Sequence, residues 1–337
     1  MSDTCVIELE DSKHEHHRVW LLSDLWKREA PKPLTFEKGK WRITLADLPL
    51  DRIETAFLVE SEAGARRRIL DEHAPVVITG GWNERLLSTY RPPSWTRFEN
   101  APPCSTSDLR LETALLPTPV RARLLAPAGL DPTKTAPLVV VHDGSDAVRF
   151  GQFDAFLRAT VAAKRLRPFR ALLLDPIDRE EHYSASPEYA SVIAREILPQ
   201  VREHVRVPSG SRHVIGLGAS LGALAHLHVA TTYPNSYGSL ALQSGSYFRS
   251  EFDANERWFR HFDRIESFVA SIPTRNVRPL HIALSVGRAE ENLANNRSLA
   301  RALRRAGHEV SLKTKRDLHN WVAFRDAFED VLRPHLG

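Results

Sequence analysis

Two rhythms of apolar and polar positions divide the chain. From Val19 to about Glu60 the apolar stretches are short: Val19-Trp20-Leu21-Leu22, Trp41-Arg42-Ile43-Thr44-Leu45 and Ala56-Phe57-Leu58-Val59. Prolines and charged turns separate them, which predicts short strands. Trp41, Ile43 and Leu45 alternate with Arg42 and Thr44, the period of a half-buried strand. Trp20 and Trp41 are therefore expected in a core. No helical stripe precedes residue 100, so the first segment predicts a small β-sandwich. The proline-rich stretch from Tyr90 to Cys104 suits neither a helix interior nor a strand, so it is the expected linker. Residues 1–104 then form the sandwich and linker, and residues 105–337 a second domain.

Beyond that point compact apolar runs alternate with helix-length amphipathic segments. Leu138–Val141, Phe150–Ala163, Ala171–Leu174 and Tyr189–Val205 give the order βαβα, and runs at His213–Ile215, Leu240–Leu242 and Leu280–Ser285 continue it. Strands buried on both faces read as continuous Val/Ile/Leu runs. The expected class is α/β, a doubly wound and mostly parallel sheet. Near the end, Leu299 and Leu303 share one face of a helix over 296–306, with Gly307 at its C′ position. A strand over 310–313 and a last helix from about Trp321 should follow. His308 and His335, outside the loop between them, are expected at the surface.

Composition narrows the reading. A chain of 337 residues exceeds one ordinary core, and 42% hydrophobic content without low-complexity tracts describes a folded protein. Met1–His17 has no basic segment leading into an apolar one, so no secretory signal is expected. No apolar run reaches the roughly 20 residues of a membrane span. The only cysteines, Cys5 and Cys104, lie far apart, which predicts a reducing, cytoplasmic setting without a disulfide or zinc site. The net charge of +4 comes from scattered arginines, not from the basic stripe that nucleic acid requires. It suits an anionic small molecule instead.

The strongest chemical signal is Gly218-Ala219-Ser220-Leu221-Gly222, after the apolar Val214-Ile215 and before the helix-like Ala223–Thr232. This is G-x-S-x-G between strand and helix, the arrangement that lifts a nucleophilic serine on a strained turn. Leu221 N–H is then one oxyanion donor at a helix N-terminus. Serine needs a base, and His319 lies where that base belongs, between the last strand and the last helix; the competing role for it is capping that helix. The acid should follow the strand Leu280–Ser285. Glu290 is the choice there, Glu291 its rival, and Asp317 stands close to His319 in sequence. Val139–Asp146 ends a strand in a glycine turn, making Ser145 N–H, or a neighbouring amide, the second donor.

Together these segments resemble the enterochelin (ferric enterobactin) esterase family of the α/β-hydrolase superfamily. In the first half, Arg18-Val-Trp20 and Trp41–Pro49 are similar to that family's sandwich. In the second, the likeness rests on Val141–Gly144, Asp178-Arg179, Glu196–Pro199, Gly218–Gly222, Gln243–Ser246, Gly287–Leu299 and His319-Asn320-Trp321. The family's Gly-Gly-His-Asp is replaced by Asp317-Leu318-His319-Asn320. The resemblance implies hydrolysis of a siderophore trilactone, releasing iron inside the cell, by serine chemistry that needs no metal or cofactor. An aromatic- and arginine-rich insertion, Tyr247–Arg260, should overhang Ser220, with Arg179, Arg257, Trp258 and Arg260 facing an anionic substrate; solvated surface charges are the plainer reading. Other readings are a carboxylesterase or thioesterase on a different ester, or a hydrolase fold that only binds.

Overall fold

The computed structural model describes residues 4–26, 30–98, 100–274 and 278–337. The chain forms two compact units. One comprises 1–92 with 287–290 and 316–318; the other comprises 93–286, 291–315 and 319–337.

The first unit is built from β1 (Cys5–Glu10), β2 (Arg18–Ser23), β3 (Lys32–Pro33), β4 (Thr35–Glu37), β5 (Lys40–Leu45), β6 (Arg52–Glu60), β7 (Arg66–Ile69) and β8 (Asn83–Leu86). They make two antiparallel sheets, ordered β1-β5-β4 and β3-β2-β6-β7, with β8 also on β6. Alternation works as expected: Val19 and Leu21 of β2 and Trp41 of β5 point into one shared cluster with Ile7, Ile53 and Phe57. Trp41 keeps its indole satisfied by donating Nε1–H to Asp11 at 2.9 Å. Trp20, expected in the core, is only half-buried, beneath the Arg66 guanidinium at 4.9 Å. Arg52 is fully buried and bonds Glu54 at 3.1 Å and Asp317 at 3.1 Å, as a charge removed from water must.

The first unit runs to Pro92 and the second begins at Pro93, within the proline-rich stretch. Trp95 is buried and meets Phe156 edge-on at 5.4 Å, inside the core of the second unit.

That unit contains β9 (Ser105–Leu111), β10 (Val120–Ala126), β11 (Leu138–His142), β12 (Arg170–Leu174), β13 (Val214–Ala219), β14 (Ser239–Gln243), β15 (His281–Gly287) and β16 (Glu309–Lys315). The sheet order is β16-β15-β14-β13-β11-β12-β10-β9. β11 through β15 are parallel, whereas β9, β10 and β12 pair antiparallel. Every residue of β11, β12, β13 and β14 is buried, because apolar clusters cover both faces of the sheet. The chain reverses its progress across the sheet at β11, with β12 on one side and β13 on the other. In open α/β sheets ligands bind at such a switch point, beyond the carboxyl ends of the strands.

The helices are α1 (Gly144–Arg149), α2 (Phe153–Ala162), α3 (Arg179–Tyr183), α4 (Pro187–Ser191), α5 (Leu198–His204), α6 (Leu221–Thr232), α7 (Phe262–Ser271), α8 (Leu293–Arg305) and α9 (Trp321–Leu336). The helix expected over 150–163 is split, since Gln152 adopts a left-handed φ of 53° between α1 and α2. A π-helical turn, Val192–Ile197, joins α4 to α5. Gly307, at φ 86°, closes α8 by donating to Arg304 O at 3.1 Å.

Two histidines expected at the surface are not there. His308 is buried and accepts at Nδ1 from Leu280 N–H at 3.1 Å. His335 is half-buried beside Leu240 O at 3.1 Å, and burial holds its imidazole down to about 4. Both cysteines are free, and Cys104 packs with Sγ 3.7 Å from Asp154 O. Among the described residues no helix is long and apolar enough to cross a membrane. None of their His, Cys, Asp and Glu side chains gather in threes to hold a metal ion.

Candidate active site

β13 runs straight into α6, and Ser220 is the hinge between them, at φ 55° and ψ −125°. For a residue with a side chain, this backbone costs about 1–3 kcal/mol and persists only where the surroundings over-determine it. They do so here. Ser220 N–H donates to Gln243 O at 2.9 Å, and Ser220 O accepts from Ser246 N–H at 3.2 Å. A Cβ on Gly218 would lie 2.5 Å from the Gly222 carbonyl carbon, and one on Gly222 would lie 3.1 Å from His142 Cβ. The two motif glycines thus let strand and helix pass at backbone contact. Leu221 N–H opens α6, where the helix offers no acceptor of its own and the positive end of its dipole gathers.

Beneath this turn lies a buried aromatic stack. His142 at the end of β11 sits face to face with His226 of α6, with centroids 3.7 Å apart. Its Nδ1 meets Gly222 O at 3.1 Å and its Nε2 meets the Tyr189 hydroxyl at 3.1 Å, while His226 Nε2 donates to Leu217 O at 2.9 Å. Desolvation dominates both rings: His142 is held down to about 3, and His226 well below the usual histidine range. They are neutral supports of the turn.

At the turn after β11, Asp143 and Ser145 are both bonded. Asp143, at φ 52°, donates its N–H to the Tyr183 hydroxyl at 3.2 Å, and its carboxylate receives Arg179 through two bonds of 2.8 Å. Arg179, expected to face substrate, therefore presents its fork to Asp143. Ser145 differs from expectation in the same way. Its N–H donates to Asp175 at 2.8 Å and its hydroxyl bonds the same carboxylate, so in this arrangement that amide is not open to an oxyanion.

His319 follows β16, with its ring edge-on to Phe324 at 5.2 Å. The capping role goes to the next residue, since Asn320 Oδ1 accepts from Ala323 N–H at 3.0 Å. His319 Nδ1 lies 3.5 Å from Asn292 Nδ2, and the same amide nitrogen donates to Ser244 O at 3.0 Å. Ser246, two residues on, places its hydroxyl 3.1 Å from Ser220 Oγ. A short chain of contacts thus connects the two principal candidates, and Ser246 and Asn292 are members of it that sequence reasoning missed. The Gln243-Ser-Gly-Ser246 motif was the available signal for Ser246.

Of the three carboxylates, Glu290 is buried and Glu291 exposed. Asp317 is occupied structurally by Arg52 and by Leu318 N–H at 2.8 Å. In the insertion, Arg257 donates to Ser250 Oγ at 2.9 Å, Trp258 is 77% exposed and Arg260 is exposed. These three side chains stand in solvent, as in the plainer reading.

Residues 113–334 match the model of the Esterase family, whose description reads "Putative esterase". A curated relative, iron(III) enterobactin esterase of Dickeya dadantii, is 26% identical over 273 residues, covering 75% of this chain and 62% of that protein, less than two thirds of its length. The protein of the same name from Escherichia coli O6:H1 is 26% identical over 115 residues, or 33% of this chain and 29% of its own length. Among solved structures, ferric enterobactin esterase of Salmonella typhimurium superposes with a TM-score of 0.81 at 18% identity, covering 99% of this chain and 93% of that one. The Shigella flexneri enzyme, crystallised in the presence of enterobactin, gives 0.79 at 17% identity with the same coverage. These likenesses establish an α/β-hydrolase fold with an N-terminal all-β region.

Proposed function

Because the chain belongs to the Esterase family, we propose that it is a serine esterase that cleaves the ester bonds of an enterobactin-like siderophore trilactone and so releases iron in the cytoplasm. The observation that carries the chemistry is the strained Ser220 at φ 55°, held on a turn where Gly218 admits no side chain and Gly222 is closely packed. Strain held at the serine of a Gly-x-Ser-x-Gly turn, at the switch point of a parallel sheet, supports its reading as the nucleophile. The siderophore rests on the motifs read in the sequence and on the names of the relatives.

His319 takes the proton of Ser220, and the alkoxide attacks the ester carbonyl to give a tetrahedral intermediate. Leu221 N–H receives the developing charge, which is worth more in a desolvated crevice than in water. The turn after β11 supplies the second donor; if that is Ser145, its N–H must exchange Asp175 for the substrate oxygen. The alcohol leaves with the proton from His319, and water, deprotonated by the same ring, clears the acyl-enzyme. Glu290, buried just after β15, is the proposed acid that keeps the imidazole in its useful tautomer. Arg257, Trp258 and Arg260 are the proposed contacts for an anionic catecholate rim.

The test is turnover of ferric and iron-free enterobactin by wild type and Ser220→Ala, with p-nitrophenyl butyrate as a control ester. Trilactone cleavage should fall by at least about 10³-fold in the variant. Cleavage of the simple ester alone would remove the siderophore and keep the nucleophile. Ser220-independent turnover would remove both.

A further inference from the structure

Three asparagines at the start of α8, Asn292, Asn295 and Asn296, are buried, at 4%, 0% and 0% exposure, and belong to no element of the serine chemistry described so far. A buried amide loses much of its hydration and is retained only where its bonds are remade inside the protein. Here the bonds are remade onto the active-site turn. Asn296 takes both backbone groups of Gly245, its Oδ1 accepting from Gly245 N–H at 3.2 Å and its Nδ2 donating to Gly245 O at 2.8 Å. The same Nδ2 reaches Asn292 O at 2.8 Å and Asn295 Oδ1 at 2.9 Å. Asn295 donates to Asn292 Oδ1 at 3.2 Å and to the Asp253 carboxylate at 3.2 and 3.3 Å. Asp253 in turn accepts from Arg249 N–H at 2.9 Å, which fixes the start of the insertion.

The orientation of Asn292 is therefore settled by its neighbours. Its Oδ1 is occupied by a donor, so Nδ2 must be the end that meets Ser244 O and faces His319 Nδ1. Ser244 stands at φ 47°, a left-handed conformation that needs outside support. Beyond it, Ser246 touches both the hydroxyl and the carbonyl of Ser220.

We propose that the Asn292–Asn295–Asn296 cluster is a positioning frame for the serine–histidine pair. Through Ser244 and Gly245 it sets Ser246 against Ser220, and the Asn292 side chain packs 3.5 Å from His319 Nδ1, a packing contact once Nδ1 carries the proton that the general base requires. This rests on the serine-esterase reading of the site, and it assigns positioning roles to residues remote in sequence from Ser220. The carboxylate that bears on the frame is Asp253, bonded by Asn295.

The test compares Asn292→Ala, Asn292→Asp and Asn295→Ala with wild type on p-nitrophenyl butyrate across pH, after circular dichroism has established that each variant is folded. Asn292→Ala should lower kcat by about 10- to 100-fold with KM within about twofold, the pattern of a reacting pair displaced without loss of ground-state binding. Asn292→Asp adds a carboxylate near Nδ1 and favours the charged ring, so the acid limb of kcat/KM should move to higher pH, by at least about half a unit. Nitrogen-15 imidazole spectra of Ser220→Ala with and without Asn292→Asp read the same shift of His319 without any turnover, which keeps the frame testable if the esterase reading fails. An unmoved His319 titration in Asn292→Asp, or a folded Asn292→Ala with wild-type kcat, overturns the proposal. Loss of fold in Asn292→Ala shifts the decision to Asn295→Ala, which must lower kcat by several-fold for the frame to stand.

Discussion

Two turns at the carboxyl edge of the sheet each carry a serine with positive φ, Ser220 after β13 and Ser244 after β14, and beyond a shared backbone anchor to the next strand they are held differently. The first is held by the main chain of its own neighbourhood. Gly218 and Gly222 pack backbone to backbone, and α6 takes over immediately. The second has a main-chain anchor too, Ser244 N–H to Ser285 O at 2.8 Å, but adds side-chain amides from the start of α8, about fifty positions further along the chain. Strain can be maintained by sterics that cannot relax or by hydrogen bonds that can be cut one at a time. The first kind should fail abruptly under substitution and the second gradually.

Gly218→Ala should give the largest effect. Its new Cβ would press on the Gly222 carbonyl carbon at 2.5 Å, and neither partner is a flexible side chain. We expect more than about 100-fold slower labelling by a fluorophosphonate probe, since a shift of about 1 Å in the nucleophile suffices for that. Labelling at the wild-type rate would erase the contrast between the turns. Next comes Asn296→Ala, which strands both backbone groups of Gly245. At about 1–3 kcal/mol for each buried unsatisfied group, urea denaturation should report a loss of about 2–4 kcal/mol.

A third prediction separates the turns by pH. His142 and His226 support only the Ser220 turn, and both rings have depressed affinity for a proton in the folded state, His142 down to about 3. The unfolded chain binds those protons near pH 6.5. Their stabilising contribution is therefore complete above about pH 6.5 and is lost as pH falls from there toward 3, by up to about 1.4 kcal/mol per pH unit for each ring. Denaturation midpoints measured from pH 7 to pH 4 should fall accordingly, and a flat profile would contradict the neutral stack. The smallest effect is expected at Trp258→Ala. A side chain 77% exposed should change stability by less than about 0.5 kcal/mol, so any change it causes in trilactone KM reports contact with substrate.

The same contrast explains what could be read in advance. The Ser220 turn is legible because its steric restraints, Gly218 and Gly222, lie two residues either side of the serine, so their spacing states the geometry. The Ser244 turn is not, because nothing in Gln243-Ser244-Gly245-Ser246 says that Asn292 and Asn296 will grip it. β11 through β15 declared themselves as unbroken apolar runs because both faces are covered. β9 and β10 are hidden in the sequence because Asp108, Arg110, Arg121 and Arg123 interrupt their apolar positions; on β9, the edge strand, such charges also discourage pairing with another sheet. The partners of Ser145 and Arg179, Asp175 and Asp143, are not legible because they depend on which strands become neighbours. His308 was misjudged because a histidine flanked by Gly307 and Glu309 looks polar, while its ring folds back to receive Leu280 N–H.

The two thiols carry a practical corollary. Burial raises both, Cys104 to about 11, so at neutral pH each stays protonated and a poor target for alkylation or peroxide. Iodoacetamide should then leave catalysis intact under conditions where organophosphorus reagents abolish it. That selectivity allows the nucleophile to be titrated in crude extracts with cysteine enzymes already silenced.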